Sequence, residues 1–176
     1  MVMKLTKKKQ IAQSSTLTLV LFIIYLIALV WIILFKLSTS IYEVPQLRNI
    51  NLIPYADSLI VNGRLSYSEL ILNAIVFVPL GLYLSMLKPN LPAWKRISLI
   101  IGTSLLLEVI QYIFAIGASD ITDLINNSLG GIIGCLLYFL CTKLWHQHTN
   151  LILNIFAFIG TTGFVLLFGI IIVSNL

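Results

Sequence analysis

Charge is what this sequence has least of. Only 10% of its 176 residues are charged, and six are acidic. A soluble domain carries about 25% charged residues, so an ordinary water-soluble domain is excluded. Cysteine is nearly absent too: Cys135 and Cys141 lie six apart inside one apolar segment, on different faces of any helix. That excludes a disulfide framework and a cysteine metal site. The two histidines, His146 and His148, fall together in a short basic stretch and read as solvated loop. There is no periodic repeat and no low-complexity tract. What is present is hydrophobicity: 59% of the residues, with a mean hydropathy of +1.03. A chain of this length makes about one domain, and this one belongs in lipid. The net charge of +5 then points to cytoplasmic loops rather than to nucleic acid.

The apolar runs divide the chain into five expected spans. Residues 1–15 form a basic N-terminus with Lys4, Lys7, Lys8 and Lys9. Residues 16–37 are a first transmembrane helix, too long for a signal peptide and without its cleavage site. Residues 38–68 make the one sizeable polar segment, with Asn62-Gly63 as a turn signal and Ser66-Tyr67-Ser68-Glu69 as a capping box. A second helix covers 69–87, with Pro79 inside it freeing the carbonyl of Ile75. Residues 88–96 form a basic loop, 97–116 a third helix, 117–119 a tight turn, and 120–144 a fourth helix. A basic loop at 145–150 precedes a fifth helix at 151–174. Trp31, Trp94 and Trp145 near span ends read as interfacial anchors. Placing the N-terminus inside puts eight basic residues on the cytoplasmic side and only Lys36, Arg48 and Arg64 outside. The expectation is an all-α polytopic bundle, N-in and C-out.

Polar residues stand out against this background along 108–134. Glu108 and Gln111 lie on the third helix; Asp120, Asp123 and Asn127 share a face of the fourth. At 1.5 Å per residue, Glu108 lies ~13 Å and Asn127 ~12 Å below the turn, which sets them at matching depth. Asn73 of the second helix falls in the same half of the membrane. These residues predict a polar cleft opening outward. Gly130, Gly131 and Gly134 form a small-residue face that admits a close neighbour. Plainer roles exist for most of them. Asp120 and Asp123 suit the first turn of a helix with Ser119 as N-cap. Asn73, Gln111 and Asn127 suit interhelical hydrogen bonds. Glu108 is the exception, because a carboxyl group inside a span is costly and marks function by default.

Three segments resemble the VanZ-like membrane proteins. They are Glu108-x-x-Gln111 followed by Asp120-x-x-Asp123-x-x-x-Asn127-x-x-Gly130-Gly131, the run Asn51-Leu52-Ile53-Pro54-Tyr55, and Asn73 through Pro79-Leu80-Gly81. The resemblance covers about residues 25–142. Many members carry Arg three residues before the first Asp, where this chain has Gly117. Arg48 or Arg64 would have to serve in its place. The resemblance implies a cytoplasmic-membrane protein of a Gram-positive bacterium. It also implies low-level resistance to teicoplanin and lipid-tailed glycopeptides. It supplies no mechanism and implies no cofactor.

Three activities are compatible with these residues. A binding module would hold a lipid-linked cell-wall precursor, a membrane lipid or the lipoglycopeptide antibiotic in the cleft, with Arg48 and Arg64 on phosphates. A membrane enzyme would use the intramembrane carboxylates on a lipid head group or precursor, with Glu108 as acid or base or with Glu108, Asp120 and Asp123 on a divalent metal. It lacks a nucleophile with a paired base and any recognisable reaction motif. A transporter lacks the inverted repeat such folds show.

Overall fold

The structure, a computed structural model, describes residues 2–35, 49–55, 60–61, 64–65, 68–116 and 119–174. Arg48 and Gly117 lie outside the described residues, as do Ser66, Tyr67 and the Asn62-Gly63 pair. Five long helices carry the fold: α1 Val2–Phe35, α2 Ser68–Leu87, α3 Ala93–Phe114, α4 Ile121–Trp145 and α5 Thr149–Ser174. Among the described residues, four two-residue strands lie between them: β1 Ile50–Asn51, β2 Ile60–Val61, β3 Arg64–Leu65 and β4 Ser119–Asp120. β2 and β3 pair antiparallel, while β1 runs parallel to β4 with Asn51 opposite Asp120.

Contacts along the helices give their directions. Asn73 reaches Asp123 and Gly81 lies on Gly131 and Cys135, so α2 and α4 run parallel. Ser104 meets Asn127 while Ile100 meets Gly131, so α3 runs opposite to α4. Phe22 packs on Tyr83 while the Tyr25 hydroxyl donates to Val76 O, setting α1 against α2. Thr18 bonds Asn154 and Trp31 packs on Phe168, so α5 runs with α1. Thus α1, α3 and α5 point one way, and α2 and α4 the other.

Four stretches are long and apolar enough to cross a membrane: Ser15–Phe35, Leu70–Leu87, Ala93–Phe114 and Ile121–Ile170. The last runs through α4 and α5, which a 3-10 turn at His146–His148 separates. Large apolar side chains such as Ile27, Leu106, Phe139, Phe156 and Leu166 face outward. An outer surface of that kind fits a membrane protein.

Inside, Leu29, Ile33, Leu34, Phe77, Leu80, Ile100 and Leu107 form one buried cluster across α1, α2 and α3. The seam between α2 and α4 is made by glycine. A Cβ at Gly130 would strike the carbonyl oxygen of Ala74, one at Gly134 that of Val78, and one at Gly81 that of Gly131. The two backbones therefore touch, as small-residue faces allow. α2 continues through Pro79. Beside this point the Tyr25 hydroxyl donates to Val76 O at 2.9 Å, one residue on from the Ile75 carbonyl whose usual donor the proline removes.

Several helix ends differ from the sequence expectation. α3 begins at Ala93 rather than 97, because Pro92 takes the N-cap position with φ −62°, an angle suited to a helix start. Lys95 and Arg96 consequently lie in the first turns of α3 and not in a loop. α3 stops at Phe114 rather than 116. Ala115 turns left-handed at φ 55°, and Ile116 N bonds back to Gln111 O, a Schellman closure. The expected loop at 145–150 shrinks to one 3-10 turn, with His146 at φ 47° and Thr149 Oγ1 donating to His146 O at 2.8 Å.

Candidate functional site

The polar residues gather at one end of the bundle, where α1 and α3 end and α2 and α4 begin. α4 is the hub. Its N-cap is Asp120 and not Ser119. Asp120 is extended (φ −122°, ψ 126°), and its Oδ1 accepts from Thr122 N at 2.7 Å. Ser119 is unavailable as a cap because its hydroxyl points back to α3, donating to Glu108 O at 2.7 Å. Capping of this kind satisfies a backbone donor that the helix leaves without a partner.

Glu108 is 5% exposed, and its Oε2 accepts from Asp120 N at 3.0 Å. The carboxyl group therefore lies at the N-terminus of α4, where backbone amides and the helix dipole favour negative charge. That location accounts for how a carboxyl group is tolerated inside the bundle. Glu108 does not lie opposite Asn127. Asn127 Nδ2 donates instead to Ser104 Oγ at 3.0 Å, one turn further down α3. The offset comes from the connection. β4 is extended, rising ~3.3 Å per residue rather than 1.5 Å, so it brings Asp120 level with Glu108 before α4 starts.

The segment 49–55 packs onto this same end. Ser119 N donates to Asn49 O at 2.9 Å, and Asn51 Nδ2 to Asp120 Oδ2 at 3.2 Å. Asn51 Oδ1 accepts from Ile53 N at 3.1 Å, closing a local turn. Tyr55, with φ 60°, sends its N–H to Thr122 Oγ1 at 3.0 Å. The Asn-Leu-Ile-Pro-Tyr run is thus a clasp over the α4 N-terminus.

A deeper layer ties α4 to α2, and α3 to α1. Asn73 Nδ2 donates to Asp123 Oδ1 at 2.7 Å. Gln111, 3% exposed, donates from Nε2 to Ile33 O at 3.0 Å, beside the C-terminus of α1. Glu108, Gln111 and Asn127 are buried, while Asp120, Asp123 and Asn73 are half-buried and form the accessible margin. Gly130, Gly131 and Gly134 lie directly beneath, Gly131 against the Ile100 side chain. Arg64 contributes backbone to β3.

Among the described residues, three buried polar atoms here find no hydrogen-bond partner: Gln111 Oε1, Asn127 Oδ1 and Asn126 Nδ2. Asn126 and Thr122 were not singled out from the sequence. Asn126 carried the signal used for Asn127, an amide inside an apolar helix. Thr122 was masked by its ordinary place in a first turn. The carboxylates do not converge: among the described residues, no three His, Cys, Asp or Glu side chains are grouped closely enough to hold a metal ion. The metal-assisted form of the enzymatic alternative therefore finds no ligand set in the described side chains.

Comparison with known proteins agrees with the motifs. The VanZ/LLP1 family profile matches residues 22–142. The chain is 37% identical over 146 residues to Protein VanZ of Enterococcus faecium, covering 82% of this chain and 86% of that one. No solved structure matches it.

Proposed function

This chain belongs to the VanZ/LLP1 family, and from that premise we propose that it lowers bacterial sensitivity to teicoplanin and lipoglycopeptide antibiotics from within the cytoplasmic membrane. Five passes, N-in and C-out, suit the alternating helix directions. They also suit the sorting of charge. Lys88, Lys95, Arg96 and Lys143 lie at the end of the bundle away from Glu108, Asp120 and Asp123, as the positive-inside rule asks of a cytoplasmic face. The polar end then faces outward, where those drugs and lipid-linked cell-wall precursors meet.

The activity proposed is binding of such a precursor, or of the drug itself, at this end. The observation that carries it is the set of three buried polar atoms without partners among the described residues, Gln111 Oε1, Asn127 Oδ1 and Asn126 Nδ2. Buried polar groups are ordinarily satisfied, and leaving one unmade costs ~1–3 kcal/mol. A peptide or sugar-bearing ligand supplies both donors and acceptors to such a set. Arg48 and Arg64, in the segment that includes the clasp, would meet its phosphates.

The test is direct binding to purified full-length protein in detergent, using a short-chain lipid-linked disaccharide-pentapeptide and teicoplanin as separate probes. Saturable binding of one of them is expected, weakened about tenfold by Gln111→Leu, which removes both its amide contacts. Absence of binding by both probes at millimolar concentration contradicts the reading.

A further inference from the structure

The opposite end of the bundle holds a second set of polar groups that the proposed activity does not use. Ser85 is fully buried near the C-terminus of α2, and its Oγ makes no hydrogen bond among the described residues. It lies one turn beyond Gly81, on the face turned to α4. Arg96 lies one turn before Ile100, whose side chain touches Gly131, so Arg96 also faces α4. Its guanidinium is drawn toward the end of α2: Nη2 donates to Pro89 O at 2.7 Å, while Nε is buried without a partner among the described residues. Pro89 lies four residues past Ser85 and two past the last residue of α2. Tyr138 of α4 lies one turn beyond Gly134, where the backbones of α4 and α2 meet at Gly81.

The N-terminus of α3 opens at the same place. Pro92 provides no side-chain cap, and the first intrahelical bonds come from Lys95 N and Arg96 N to Pro92 O. The amides of Ala93 and Trp94 precede those bonds. An uncapped helix N-terminus attracts anions, and Lys88 and Lys95, both exposed, flank it. The Arg96 guanidinium, the Ser85 hydroxyl and the uncapped start of α3 are three kinds of donor that phosphate oxygens accept.

We propose that the junction of α2 and α3 is a phosphate-binding site formed by Arg96, Ser85 and the N-terminus of α3. The phosphate comes either from an anionic lipid head group or from a free phosphate. The site is independent of the polar end and of any ligand there.

The experiment measures thermal stabilisation of the purified full chain in a neutral detergent, since a ligand of the folded state raises its melting temperature in proportion to occupancy. Short-chain phosphatidylglycerol, the zwitterionic phosphatidylcholine and inorganic phosphate are the three probes. Phosphatidylglycerol is expected to stabilise the protein at concentrations where phosphatidylcholine does not. Arg96→Gln should weaken it at least tenfold, as loss of a charge-assisted contact does. Ser85→Ala should weaken it about threefold while leaving the ligand-free melting temperature equal or higher, because it removes a buried hydroxyl that nothing satisfies. Equal stabilisation by inorganic phosphate, with the same two losses, assigns the site to a free phosphate. Equal stabilisation by phosphatidylcholine, no stabilisation by any probe, or stabilisation unchanged by Ser85→Ala overturns the proposal.

Discussion

At the scale of single residues, polar groups here are placed by what each can satisfy. Glu108 lies against an amide at a helix N-terminus and Asn73 beside a carboxylate. Gln111 meets a carbonyl beside the end of α1. One residue stands against its own preference. Ala115 closes α3 in the left-handed region at φ 55°, where a Cβ costs roughly 1 kcal/mol and glycine costs little. Ala115→Gly is therefore expected to raise the unfolding free energy by about that amount, read as a higher melting temperature in detergent. A fall would mean that the Ala115 methyl makes a packing contact worth more than the strain. Glu108 stood out in the sequence because a carboxyl inside a span is rare. Its partner did not. The count of helical rises placed it opposite Asn127, and the short extended piece at 119–120, invisible to hydrophobic periodicity, displaced the register by a turn.

At the scale of elements, the pair α2 and α4 is the structural spine. Their backbones meet through Gly81, Gly130 and Gly134, and Asn73 and Asp123 tie their N-terminal ends. Gly130→Ala puts a methyl into the Ala74 carbonyl and must push the helices apart, at ~1–3 kcal/mol as overpacking does. Gly102→Ala is the control. Its added methyl meets nothing within 4 Å, so the helix propensity of alanine should raise stability by ~0.5–1 kcal/mol. Melting temperatures in detergent should therefore move in opposite directions; a common direction would contradict the glycine seam. Gly130 and Gly134 were legible as a spacing of four. Gly81 stood in the sequence only as the end of the motif that begins at Asn73, and no spacing announced its packing against α4. The clasp at 49–55 shows the same limit. Its residues were recognisable by family resemblance, but only the fold reveals that Asn51 and Tyr55 bind Asp120 and Thr122.

At the scale of the whole molecule, the chain separates its charges along the bundle. Carboxylates and amides collect where α4 begins, and cations collect where α2 and α4 end. The apolar runs made the helices legible, and the lysines made this polarity legible. The tight α4–α5 turn was hidden, because His146, Gln147 and His148 look like loop residues and become a 3-10 turn only once Thr149 is buried beneath them. On the proposed function, the end containing Glu108, Asp123 and Asn127 carries the protective activity. The most direct measurement is the teicoplanin inhibitory concentration of a sensitive Gram-positive host expressing the chain or its Glu108→Ala variant at matched membrane protein levels. The expected result is that Glu108→Ala reduces protection to that of cells without the protein. Full protection by the variant at an equal level would contradict the claim.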